Sequence, residues 1–169
     1  VTSAQPTFRR QRPGRLLRFF FRAPVWLYRG WLADLLRWRC IMLVTTTGRR
    51  SGRPRTTGVS FMPVGDHIVA FAGWGVRADW YQNLLVNPRV TLQIGRRRLS
   101  ATAHPVEDPA RREALMLQMR DRSSQCGPPR PLRPLLRLTR IFDYDGEIAM
   151  AVKHARELPV VEFIPDRDG

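Results

Sequence analysis

Between Ile41 and Val106 the chain reverses direction at short intervals, and each reversal carries its own turn chemistry. Ile41 to Thr46 is a β-branched run that ends in the loop-forming stretch Gly48-Arg-Arg-Ser-Gly-Arg-Pro54. Arg55 to Pro63 reads as a second strand, Val64-Gly65-Asp66 as a hairpin turn and His67 to Ala72 as a third strand. Gly73-Trp-Gly75 then opens the backbone, and a short helix from Trp80 to Val86 stops at Asn87-Pro88. Arg89 to Ile94, a turn at Gly95-Arg96, and Arg98 to Val106 make another hairpin. Strands joined this closely pair antiparallel, because a parallel pair needs a long crossover. No regular βαβ alternation exists to build a parallel sheet, so the pattern predicts a small antiparallel barrel of α+β type.

The flanks are helical by periodicity. Leu16 to Trp38 is amphipathic and broken at Pro24, which predicts two consecutive helices. Helices are also expected from Pro109 to about Arg120, from Leu132 to Phe142 and from Gly146 to Arg156, with a closing strand from Pro159 to Ile164. The expected organisation is a basic, partly mobile N-terminal segment over 1–22 and one barrel domain over 23–169. Arg18, Arg22, Arg29, Asp34 and Arg37 interrupt the only apolar region that approaches membrane-spanning length. Cys40 and Cys126 stand outside any CxxC, and two free thiols in a reduced, cytoplasmic protein are the expectation. His67, His104 and His154 are scattered over three elements, so spacing suggests neither a metal cluster nor a catalytic triad.

Charge narrows the partner. The 169 residues carry 29 basic and 14 acidic side chains, for a formal charge of +15, and 28 of the basic residues are Arg, with Lys153 the exception. The codon bias of a GC-rich bacterial genome is expected to explain the larger share of the choice of Arg over Lys, but not the net charge. At 43% hydrophobic the excess sits on a folded body and not on a disordered tail. Its densest part is Thr45-Thr-Thr-Gly-Arg-Arg-Ser-Gly-Arg-Pro-Arg55, with two glycines, hydroxyls and four arginines in one strand-to-loop stretch. Glycines let backbone N–H groups approach an oxyanion, and guanidinium groups give fixed charge in a planar, bidentate form. The GxxxxGK[ST] spacing of a P-loop is absent, so a different anion site is implied.

That loop, the Ala72-Gly-Trp-Gly75 break and Asp79-Trp-Tyr-Gln-Asn-Leu-Leu-Val-Asn-Pro88 together resemble the deazaflavin (coenzyme F420)-dependent nitroreductase and quinone reductase family. In that family a TTxGRxSGxxR pattern is followed by a WYxNLxxNP helix, and both stand here from about Ala23 to Val106, with an echo in Phe142-Asp-Tyr-Asp-Gly146 and Leu158-Pro159-Val160. The resemblance implies a split antiparallel β-barrel of the FMN-binding kind that binds F420, a cofactor with a phosphodiester and an oligoglutamate tail. It implies hydride transfer from reduced deazaflavin to a quinone, nitroaromatic or activated-alkene acceptor, so that the cofactor carries the hard step. Arg49, Arg50, Ser51 and Arg55 would hold the phosphate, with Thr47, Gly48 and Gly52 shaping the loop. Phe71, Ala72 and Gly73 would face the ring beside Trp74, Trp80 and Tyr81 would flank it, and Asn83 would brace the loop. Ser60 and Tyr81 are the candidate proton donors.

Three departures leave the acceptor open. Relatives carry a tyrosine where Ser60 stands, a lysine where Trp74 stands, and tyrosines on a C-terminal segment that is here Pro128-Pro-Arg-Pro-Leu-Arg-Pro134. The rival readings are the same barrel using FMN, and a non-enzymatic basic protein acting as F420 carrier, at a membrane surface or on nucleic acid. Nucleic acid ranks low because no reading helix or RNA motif is present. Split barrels of this type are compatible with a homodimer, and the basic N-terminal helices with contact to the inner face of the cell membrane.

Overall fold

The structure, a computed structural model, describes residues 5–9, 34, 40–123, 126, 131, 134 and 144–166. The helices expected over 16–38 and 132–142 fall outside that set, apart from Asp34 and Pro134. Six strands, β1 (Ile41–Thr47), β2 (Pro54–Val64), β3 (His67–Phe71), β4 (Arg89–Ile94), β5 (Arg97–Pro105) and β6 (Val160–Pro165), close into one barrel in the order β1-β2-β3-β6-β5-β4. Every neighbouring pair is antiparallel. The three helices among the described residues are α1 (Asp79–Val86), α2 (Pro109–Arg122) and α3 (Tyr144–Lys153).

The short connections set the register. Val64 pairs with His67 and Ile94 with Arg97, so Gly65-Asp66 and Gly95-Arg96 are two-residue hairpin loops. The last strand then inserts between β3 and β5, which removes both sheet edges. With a side-chain period of two, alternate residues fill the barrel: Met42, Val44, Val59, Phe61, Ala70, Leu92 and Phe163 are buried inside. The opposite parity on β2, β3 and β6 puts Met62, Val69, Phe71 and Val160 on the outer wall. There they make a second core with Leu115, Met116 and Met119 of α2 and Ala151 of α3.

Cys40 and Cys126 do not remain free thiols. They form a disulfide across 86 residues of sequence at the margin of the second core, with Cα atoms 5.2 Å apart. The spacing rules of metal and redox motifs miss this pair, because tertiary packing and not sequence spacing brings the two cysteines together. The thiol-based argument for a reducing compartment therefore falls away. Among the described residues, no helix is long and apolar enough to cross a membrane.

One charge is buried in this frame. Arg112 is 1% exposed, and its guanidinium donates to the carbonyl oxygens of Arg156 (2.8 Å), Val106 (2.9 Å) and Glu107 (3.1 Å). It ties the start of α2 to the segments that lead out of β5 and into β6. Replacing Arg112 by Met strands these carbonyls, and we expect a loss of about 2–4 kcal/mol in urea unfolding, against under ~0.5 kcal/mol for the neighbouring exposed Arg111→Met.

Candidate functional site

Because neighbouring strands alternate in direction, one mouth of the barrel collects the C-terminal ends of β1, β3 and β5 with the N-terminal ends of β2, β4 and β6. Helix α1 plugs that mouth. Trp80, Tyr81 and Leu84 are buried in the barrel core, with the Trp80 ring 6.5 Å from Phe163 and 6.2 Å from Tyr81 between centroids. The plug and the arginine-rich loop are joined by a polar relay. Buried Thr46 at the end of β1 accepts from Asn83 Nδ2 (3.0 Å) and donates to the Arg55 carbonyl (3.4 Å). Asn83 Oδ1 accepts from the Arg49 backbone N–H (3.2 Å) and from Arg49 Nη1 (3.0 Å), while Arg49 Nη2 meets Asp79 Oδ1 at 3.1 Å.

This relay divides the four loop arginines. Arg49 is half-buried and its guanidinium is spent on the first turn of α1, which makes it a bracket for the loop. Arg50, Arg53 and Arg55 are exposed, and no side-chain partner holds any of their guanidinium groups among the described residues. The loop itself is closed by Gly48 N–H to the Arg53 carbonyl (2.9 Å) and Gly52 N–H to the Gly48 carbonyl (2.8 Å). Ser51 is exposed on it, with Oγ accepting from the Arg53 N–H at 3.4 Å. Thr47 precedes the loop, half-buried at the end of β1.

On the far side of β2, β3 ends at Phe71, Ala72 and Gly73. Phe71 turns its ring into the second core, Ala72 is buried with its N–H on the Pro159 carbonyl, and Gly73 is exposed. A Cβ at Gly73 would meet nothing within 4 Å, so open space faces the backbone there. Gly75 is different: its φ is +69°, and a Cβ would run into the Phe8 carbonyl. Of the N-terminal segment, residues 5–9 are strapped over this turn, with Val76 N–H on the Phe8 carbonyl and Thr7 and Phe8 N–H on the Glu157 carbonyl. Trp74 is half-buried against the barrel core.

The structure gathers Thr47 to Arg55, Ala72 to Trp74, and Asn83 at one mouth, but it separates the others. Trp80 is 9% exposed, and its indole packs into the barrel core. The reason is the apolar interior, which α1 must seal. Ser60 lies outward on β2 opposite Ile41, at the other mouth, about 20 Å along the strand from Pro54 by strand rise. Tyr81, the other candidate donor, is 3% exposed. Burial pushes the Tyr81 phenol above its ordinary value, an effect that Arg112 opposes and Glu107 reinforces. Sequence reasoning missed Arg112 as a buried group, although positions 112, 115, 116 and 119 share one helical face.

A family model described as F420H(2)-dependent quinone reductase matches residues 20–127. An F420H(2)-dependent quinone reductase of Mycobacterium tuberculosis is 41% identical over 69 residues, which cover 39% of this chain and 46% of that protein. The chain thus spans less than half the length of the relatives it matches at this level. Among solved structures, a conserved hypothetical protein of Mycobacterium tuberculosis is similar at a TM-score of 0.53 and 16% identity, over 80% of this chain and 79% of that one. The heme storage protein HutZ of Vibrio cholerae is similar at 0.52 and 15%, over 88% and 92%. At such identities these two structures carry the barrel fold alone.

Two outcomes follow from the relay and the plug. Asn83→Leu keeps the volume but strands Thr46 and the Arg49 N–H, and we expect about 1–3 kcal/mol of destabilisation in a denaturant melt. For Tyr81, the unfolded chain releases its proton at the ordinary value of 10.0 while the folded chain holds it longer. The unfolded state then binds fewer protons, so stability falls as pH rises above that value. Melting temperature followed across alkaline pH should decline less steeply in Tyr81→Phe than in the parent.

Proposed function

The chain belongs to the F420H(2)-dependent quinone reductase family, and from that premise we propose that it binds reduced coenzyme F420 at the α1-plugged mouth and passes hydride to a quinone. Nitroaromatics and activated alkenes are hydride acceptors of the same chemical type and belong to the same reading. The observation that carries it is the division of the arginine loop. Three guanidinium groups that have no protein partner among the described residues stand on a hairpin loop closed by its own backbone hydrogen bonds, which suits a phosphodiester better than a solvated tip would. The space in front of the Gly73 backbone suits a flat ring that approaches the main chain closely.

When bound, reduced F420 supplies the hydride, from C5 of the deazaflavin. The protein's share is binding, orientation and field. Arg50 and Arg55 hold the phosphodiester, Ser51 adds a hydroxyl, and Arg49 keeps the loop docked on α1 so that these donors stay aimed. Ala72 and Gly73 line the ring position, with Trp74 at its edge. Ser60 faces outward on β2 away from this mouth and Tyr81 is buried within the plug, which supports solvent as the proton source.

The test is consumption of reduced F420 with menadione, read from the return of oxidised deazaflavin fluorescence, with FMN titrated in parallel. Turnover with F420 and no retention of FMN is expected; tight FMN binding without any response to F420 would sink the reading. Arg55→Ala should weaken F420 binding by about tenfold or more, whereas Arg97→Ala, which removes a charge at the β4–β5 hairpin, should change it less than about twofold. Equal losses at the two positions would leave only the bulk field at work.

A further inference from the structure

The Ala72-Gly-Trp-Gly75 break holds two glycines with different neighbours. Open space faces Gly73, whereas Gly75, at φ +69°, lies against the carbonyl and the ring edge of Phe8, where any Cβ would collide. The contact belongs to a strap over residues 5–9. Arg9 bridges antiparallel to Gly75, the Val76 N–H donates to the Phe8 carbonyl at 2.9 Å, and the Thr7 and Phe8 N–H groups both donate to the Glu157 carbonyl at 3.1 Å. The Phe8 side chain packs against the second core, its ring centroid 5.0 Å from that of His154. The strap thereby ties the turn before α1 to the segment that leads into β6. Other bonds hold the same turn from within: Ala72 N–H donates to the Pro159 carbonyl (2.9 Å), Gly75 N–H to the Ala72 carbonyl (2.7 Å), and Gln82 Nε2 to the Val76 carbonyl (2.7 Å). The strap supplies the hold on its outer side.

We propose that docking of residues 5–9 on Gly75 sets the shape of the Gly73 turn and is thereby coupled to binding of the cofactor ring. The inference rests on the cofactor reading above and adds Phe8 and Gly75 as positioning residues, which act through the backbone of the turn. The physical argument is preorganisation. Gly73 offers a flat ring no side chain, so the ring is held by the shape of the main chain, and every alternative conformation of the turn lowers the competent fraction. Two glycines within three residues free the backbone to take such alternatives. The strap removes them by filling the space over Gly75, and it leaves Gly73 uncovered. Three backbone hydrogen bonds and one half-buried side chain hold the strap, so its local opening costs little beside unfolding of the barrel, and a ligand can shift it. Linkage makes the effect reciprocal. Whatever strap docking adds to ring affinity, ring binding adds to strap docking.

The experiment measures the coupling in both directions on the intact protein. Fluorescence titration gives the F420 affinity of the parent, Phe8→Ala, Phe8→Leu and Gly75→Ala, and hydrogen exchange read by mass spectrometry at the Thr7 and Phe8 amides reports docking of the strap. Phe8→Ala and Gly75→Ala should exchange faster in the strap and bind F420 about fivefold or more weakly, while Phe8→Leu, which keeps an apolar anchor, should restore most of the affinity. Saturating F420 should slow strap exchange in the parent by about the same factor and leave α2 and α3 unchanged. Circular dichroism melts confirm that each variant is folded. If the strap opens in Phe8→Ala while F420 affinity stays within about twofold of the parent, or if F420 leaves strap exchange in the parent unchanged, the strap is a structural clasp and the coupling is refuted, while the cofactor reading stands. If the parent does not bind F420 at all, the cofactor reading fails and the coupling fails with it.

Discussion

The hydrogen bonds from Asn83 to Thr46 and from Arg49 to Asn83 hold this mouth of the barrel together. Each joins parts of the chain far apart in sequence, and each is shielded from water to a degree that makes it count: Thr46 is 1% and Asn83 4% exposed. A buried amide left unpaired costs more than the pair contributes, so the loop and the helix are held in one arrangement or neither is. This is the physical reason the strand-loop motif and the helix motif occur together. Thr46 and Arg49 are what the loop offers, and Asp79 and Asn83 are what the helix offers in return. Trp80 and Leu84 fix the helix from below by sealing the barrel.

The barrel itself has two outer faces with different duties. Where β2, β3 and β6 present Met62, Val69, Phe71 and Val160, the wall must be covered, and α2 and α3 cover it. Where β1, β4 and β5 present threonine, serine and arginine, the wall is polar. The disulfide and Arg112 both lie on the covered side. Arg112 draws together the carbonyls of the segments that leave β5 and enter β6. The buried cross-links are therefore concentrated on one side of the molecule and the exposed polar groups on the rim and the other wall, so changes on one side need not perturb the other.

Most of this fold was legible in the sequence because its strands are local. β1 to β5 are joined by hairpins and one short helix, and turn residues with period-two alternation mark those to within a residue or two. The closure by β6 between β3 and β5 was not legible, since no local pattern says which strands a terminal strand will separate. The same limit applied to Cys40 and Cys126. They are neighbours through the tertiary fold, 86 residues apart in sequence, and spacing rules describe contacts that are near in sequence. Trp80 shows a different limit. A motif marks a residue as important without saying whether it packs or binds, and an indole at the start of a plugging helix packs.

The arginines raise the same distinction within a single loop. All four look equivalent as charge, and the +15 total treats them so. Geometry separates them by what their donors already have. Arg49 faces Asp79 and Asn83 and is consumed, so its loss would act through loop position, not through lost charge. Arg50, Arg53 and Arg55 are exposed and have no side-chain partner among the described residues. Arg112 shows the reverse case, a buried guanidinium that donates to three backbone carbonyls inside the fold. Net charge therefore overstates what the mouth can use, and the unpaired guanidinium groups at its rim are the better measure of what it is built to hold.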